Sequence, residues 1–212
     1  MRIPEKIFFI LFFLLFLLLI RYVADIGPDR SPGERFQVIK VIDGDTIDLT
    51  GGERLRLLGI DTPERGEPLY DSARVFLQSL IEDRTLEISF SKRKRDNYGR
   101  LLGYAYIDTF FVNREMIRNG LAYLYLFKDN LSDNEQTAAL QAAQNEAMEA
   151  GRNIWSIKKS PEEYYLAHKG SLRFHRPFCH SVEKSKPAEL FKFSTREEAF
   201  RAGFSPCRNC QP

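Results

Sequence analysis

Between Glu34 and Gly151 the apolar residues change period in one order: strands, a helix, strands again, then helices. Phe36, Val38, Ile39, Val41 and Ile42 lead into an Asp43-Gly44-Asp45 turn. Alternation resumes at Thr46-Ile47-Asp48-Leu49, and Gly51-Gly52 marks a hairpin before Arg54–Ile60. Leu69, Ala73, Phe76, Leu77 and Leu80 share one helical face within 68–82. Thr85–Phe90 and Leu101–Ile107 read as strands. Asn113 is placed to cap a short helix ending at Gly120. Ser132 and Glu135 form a capping-box pattern before an Ala-rich helix that stops at Gly151. This order is not βαβ, so it predicts an α+β fold, with five short strands suited to a small Greek-key barrel.

The two ends of the chain differ from this middle. Arg2 and Lys6 precede fourteen unbroken apolar residues, Ile7–Ile20. A bilayer span takes about 20 such residues and an export-signal core about 7–15. Length therefore suits a signal peptide. The absence of a small-residue cleavage site, with Arg21 and Tyr22 able to sit at an interface, suits an uncleaved signal-anchor. We expect 1–24 to be that N-terminal apolar helix. The cations ahead of it place the remainder outside the cytoplasm, membrane-anchored or, if cleaved, secreted or periplasmic. The Gly/Pro-bearing stretch 25–33 reads as a linker, 34–156 as the main domain, 157–171 as a second, polar linker and 172–212 as a small module. The net charge of +2 excludes a globally basic polyanion binder, so any phosphate-binding surface must be local.

Three stretches gather charge at strand ends or tight turns: V-I-D-G-D-T at 41–46, L-R-L-L-G-I-D-T-P-E at 55–64 and D-N-Y-G-R at 96–100. Taken singly, each is an ordinary turn, strand or cap. Taken together they contain what phosphodiester cleavage requires. Asp45 and Asp61 offer oxygen ligands for a hard cation, with Thr62 beside them. Arg56 and Arg100 offer guanidinium forks to phosphate. Glu64 is a carboxylate able to activate water. Lys92-Arg93-Lys94-Arg95 reads either as a solvated loop or as a phosphate-tracking patch.

These motifs, with N-E-Q at 134–136 and N-I-W-S at 153–156, resemble the staphylococcal nuclease family over roughly 36–155. The resemblance implies an OB-fold five-stranded barrel with about three helices. It also implies calcium-dependent cleavage of DNA or RNA with 3′-phosphate products, in a monomer. It assigns calcium to Asp45, Asp61 and the Thr62 carbonyl, with Asp43 supporting. Arg56, Glu64 and Arg100 become catalytic, and Tyr98 a base-stacking residue. The family's lysine-rich loop is short here, at 65–68, and Tyr123 and Tyr125 fall out of register with its later tyrosines. The alternative is a non-catalytic nucleic-acid-binding OB-fold module of the cell envelope. The presence of all five charged site residues favours an enzyme.

The three cysteines all lie near the C-terminus. His175 and Cys179, with the C-x-x-C pair Cys207 and Cys210, suit a closed tetrahedral zinc site in a module too small for a large core. His180 or His168 as ligand, and a Cys207–Cys210 disulfide, are competing arrangements. The spacing, and S-T-R-E-E-A at 194–199, resemble the Ada-type zinc-binding domain. His175 stands where that domain has its first cysteine, which points to a structural zinc.

Overall fold

The computed structural model describes residues 33–131 and 133–212, and the apolar segment 1–24 and its linker lie outside this range. Five strands close into the barrel: β1 (Glu34–Val41), β2 (Thr46–Leu49), β3 (Arg54–Leu57), β5 (Thr85–Arg95) and β6 (Leu101–Ile107). Their order is β3-β2-β1-β5-β6, and a parallel β3–β6 pairing closes the circle. The fold is thus the α+β, OB-like barrel expected. β4 (Ile60–Asp61) leaves the barrel and pairs with β8 (Tyr123–Leu124), while β7 (Phe110–Phe111) extends β6.

Alternation places Ile47, Leu49, Leu55, Leu57, Leu86, Ile88, Leu101 and Ala105 inside. Ile39 escapes this rule. A register shift between Val38 and Lys40 bulges β1 and turns Ile39 out, leaving it 65% exposed. The Gly51-Gly52 turn needs positive φ at both residues, 78° and 74°, which glycine adopts without a Cβ penalty.

Three helices pack on the barrel: α1 (Tyr70–Ile81), α2 (Val112–Arg118) and α3 (Asn134–Glu149). Of the expected face of α1, Ala73 and Leu77 are buried and Leu69, Phe76 and Leu80 pack half-buried on the core, while Ile81, outside that set, is fully buried beside them. Asn113 departs from expectation. It lies inside α2, fully buried, and its amide accepts from Ala105 N at 2.9 Å and donates to Leu58 O at 2.8 Å. A buried amide saturating two barrel carbonyl and N–H groups outweighs a solvent-side cap. Ser132, half of the expected capping box, lies outside the described residues, and Asp133 occupies the cap of α3.

The C-terminal part is a second sheet in the order β11 (Leu190–Phe193), β9 (Tyr165–His168), β10 (Arg173–His175), β12 (Ser205–Pro206). It carries the short helices α4 (His180–Glu183) and α5 (Arg196–Arg201). The stretch 157–171, read as linker, therefore supplies β9, a strand paired on both sides. Thr195 caps α5, accepting from Glu198 N at 3.1 Å.

This sheet is fused to the barrel rather than tethered. Fully buried Phe200 stacks on Tyr123 (centroids 5.4 Å) and meets Trp155 (4.7 Å) and Phe174 (4.9 Å) edge-on. Truncating such a ring costs about 3–5 kcal/mol. Gln144 joins both parts, accepting from Leu124 N at 2.8 Å and donating to Phe200 O at 3.3 Å. Ser205 Oγ donates to Leu124 O at 2.7 Å.

Candidate active site and metal centre

The D-G-D turn owes its position to Gly44. A Cβ there would lie 2.8 Å from Thr62 and from Ala73, so only glycine lets the β1–β2 turn press against the loop after β4. That approach joins the first two sequence motifs. Asp45 Oδ2 accepts from Thr62 N (3.1 Å) and Thr62 Oγ1 (3.0 Å), and Asp45 Oδ1 accepts from Thr46 Oγ1 (3.1 Å). Asp43 Oδ1 accepts from Asp45 N at 3.1 Å. Burial, and the Asp45 carboxylate beside it, hold the Asp43 carboxyl above its usual range.

Arg56 comes from the end of β3. Its Nη1 donates to Leu57 O (2.8 Å) and Ile60 O (2.9 Å), which fixes the fork. Its Nη2 reaches Asp45 Oδ2 at 3.0 Å and Asp61 Oδ1 at 3.1 Å, with the side chain only 14% exposed. One guanidinium nitrogen thus joins carboxylates from two strand ends. Arg100, at the start of β6, is held by Asp96, whose Oδ2 accepts from Arg100 Nε at 2.7 Å. Burial alone would raise the Asp96 carboxyl. The Arg100 bond and the N–H groups of Tyr98 and Arg100 outweigh it and hold Asp96 below its usual range.

Asp43, Asp45, Arg56, Thr62, Glu64 and Arg100 line a cavity of about 120 Å³. Asp61 borders it through Arg56. A neighbouring cavity of about 280 Å³ shares Arg56 and Arg100 and adds Tyr98, Tyr125 and Phe127. Tyr98 is 86% exposed, with the Arg100 guanidinium 5.6 Å from its ring. Tyr123, by contrast, is packed on Phe200 away from this cavity. The largest concavity, about 1020 Å³, lies beyond Arg100 and is walled by Asp48, Glu53, Arg54 and Arg95. Arg54 pairs with Asp48 and Arg95 with Glu53, so its charges are matched among themselves. The basic run 92–95 is the end of β5, not a loop. Lys94 pairs with Glu34, and Arg93 donates to Asn97.

Arg208 joins the site from outside the three motifs; in the sequence it is, with Arg173 and Arg176, one of the arginines of the C-terminal module that permit nucleic-acid contact. It stands between Cys207 and Cys210, and its guanidinium donates to both oxygens of Asp61, with Nε to Oδ2 at 3.3 Å. Its Nη1 lies 3.4 Å from Glu64 Oε1. Nothing near it in sequence ties it to Asp61.

His175, Cys179, Cys207 and Cys210 present ligand atoms all within 4.8 Å of one another, the one such group of three or more donors among the described residues. The thiols are unpaired, and His175 Nδ1 is buried without a hydrogen-bond partner, as a metal ligand would leave it. Burial, then His168 and Arg173 nearby, push His175 down to about 4, so it is neutral and able to ligate. His180 is exposed. The donor set fits Zn²⁺. The acidic set instead offers only oxygens, with Asp45 and Asp61 drawn together on Arg56, which fits a hard cation of the calcium type.

Acids and guanidiniums paired at the rim of a closed barrel suit a protein that handles a phosphate ester. Residues 54–157 match the family model described as staphylococcal nuclease homologue. The chain is 30% identical over 160 residues to the thermonuclease of Staphylococcus intermedius, covering 69% of this chain and 94% of that protein. It is 30% identical over 152 residues to the thermonuclease of Staphylococcus hyicus, covering 65% and 88%. To an uncharacterized endonuclease of Escherichia coli it is 33% identical over 124 residues, covering 57% and 76%. The chain belongs to the staphylococcal nuclease family.

Proposed function

We propose that this protein is a calcium-dependent nuclease that hydrolyses DNA or RNA outside the cytoplasm, leaving 3′-phosphate ends. The coarser class, a nuclease hydrolase, follows from the family. The observation that carries the finer reading is Arg56 Nη2, which contacts Asp45 and Asp61 together and so marks where acids from two strands converge.

Asp45, Asp61 and the Thr62 carbonyl are the proposed calcium ligands, and Asp43 supports them by holding Asp45 N. Calcium, when bound, supplies positive charge to a phosphoryl oxygen. Arg56, fixed by two carbonyls, and Arg100, fixed by Asp96, face the phosphate without reorganising as charge grows toward the transition state. Glu64, at the open side of the cavity, takes the proton of the attacking water or positions that water. Tyr98 offers an exposed ring for a base.

The His175, Cys179, Cys207, Cys210 cluster is proposed as a structural zinc site of an Ada-like module that takes in β9 as well as 172–212, after the nuclease domain 34–156. The apolar run before residue 25 supports a membrane-bound protein facing away from the cytoplasm, and a monomer is proposed with it. Among the described residues no helix is long and apolar enough to cross a membrane.

The test is turnover of single-stranded DNA with calcium present. Glu64→Gln is expected to lose about 10²–10⁴-fold in kcat, and Arg56→Ala about 10²–10³-fold. If either keeps wild-type turnover, its role is wrong, and if the wild-type protein itself shows no turnover, the protein is a binding module.

A further inference from the structure

Resting on the nuclease reading above, we propose that Arg208 is a third substrate-contacting arginine of the site, presented to it by the metal-binding C-x-x-C turn. It arrives from 147 residues beyond Asp61 in the chain. Gln211 Nε2 donates to Glu67 Oε1 at 2.9 Å and so ties the turn to the site loop, while Cys207 N donates to Phe174 O at 2.9 Å and fixes the turn on β10. Arg208 borders both the small acidic cavity and the larger aromatic one, as only Arg56 and Arg100 also do among the described residues. A phosphate at that junction therefore meets three guanidiniums.

Charge supports the assignment. Asp43, Asp45, Asp61, Glu64 and Asp96, the partner of Arg100, carry five carboxyl groups in this region, one more than two arginines and a divalent cation balance. Arg208 removes that deficit before an anionic phosphodiester arrives. Its present partners are those a cation would claim. Both Asp61 oxygens accept from Arg208, so a cation taking one of them releases part of the fork. The released group has room to turn, because its side chain is 53% exposed and lies 5.5 Å from the Tyr125 ring. Arg173 shows the contrast. Its guanidinium lies 3.5 Å from the same Tyr125 ring, but its Nη1 is engaged by Leu126 O at 2.9 Å and Leu172 O at 3.0 Å, which makes it a strut.

The opposite role, a plug that blocks the site, predicts effects of opposite sign. The experiment uses the full chain with Glu64→Gln to prevent cleavage. It measures binding of a labelled single-stranded oligonucleotide over a salt series with calcium present, and binding of calcium alone by calorimetry. Adding Arg208→Ala is expected to weaken oligonucleotide binding about 10-fold and to lower the salt slope by about 0.7, while calcium binds severalfold tighter. Arg208→Lys is expected to keep the slope but not the full affinity. A damaged fold would weaken both ligands, so movement in opposite directions identifies direct contact. Unchanged affinity and slope, weakening of both ligands, or tighter oligonucleotide binding overturns the proposal. Failure of the Glu64→Gln parent to bind any oligonucleotide overturns both this proposal and the nuclease reading, whereas normal parental binding with an inert Arg208 overturns this one alone.

Discussion

The protein carries two polar clusters that solve the problem of buried charge in different ways. At the barrel rim the carboxylates are already neutralised by the chain, through Arg56 and Arg208 on Asp61 and Arg56 on Asp45. In the C-terminal sheet three thiols and a histidine crowd within 4.8 Å with no cationic side chain among the ligand atoms. Burial first, with Cys179 and Cys207 beside it, pushes the Cys210 thiol up to about 12. Cys210 therefore needs a metal to become thiolate, whereas Cys179, which burial alone would raise, is held below its usual range by the hydrogen bonds of Ser181. On the function proposed above, the difference separates a site whose cation would be exchangeable, as catalysis requires, from one whose cation would be part of the fold.

Breaking the second cluster tests that contrast most severely. Cys207→Ser is expected to abolish stoichiometric zinc and to lower stability by several kcal/mol, since metal binding there is folding energy. Elemental analysis and thermal unfolding measure both, and an unchanged melting temperature would make the cluster ornamental. Next in size is Asp96→Asn, which removes the anchor of Arg100. We expect about a 10-fold loss in kcat/KM. The Asp96 carboxyl is held below its ordinary 3.8, so its stabilisation is complete above that value and fades as pH falls through the lowered one. An acid unfolding series should therefore show the variant losing less stability than wild type in that window. The smallest effect is Tyr98→Ala. Loss of one stacking platform should weaken single-strand binding by about 1–3 kcal/mol with kcat nearly intact. A large fall in kcat with KM unchanged would give Tyr98 a different role.

Much of the barrel was legible because its signals are local. Ile47, Leu49, Leu55 and Leu57 alternate, and α1 repeats at helical spacing. The acidic and arginine residues were legible only jointly, through three motifs in a fixed order. What escaped depends on distant partners. β9 reads as polar linker because Tyr165-Leu166-Ala167-His168 is four residues long and gains its place from β10 and β11 on either side. Asn113 reads as a cap until the Leu58 carbonyl, 55 positions away, is seen beneath it. Arg208 is legible as an arginine able to meet nucleic acid, but nothing near it in sequence ties it to Asp61, 147 positions away.

The central claim is that acids from two separate strand ends hold one hard cation while the thiols hold a different metal. Calorimetric calcium titration of zinc-loaded wild type, Asp45→Asn and Asp61→Asn proteins tests it directly, with zinc content measured on the same samples. The account predicts one calcium site in wild type, its loss or severe weakening in both variants, and one retained zinc throughout. Calcium binding that survives both substitutions, or zinc that leaves with them, would contradict it.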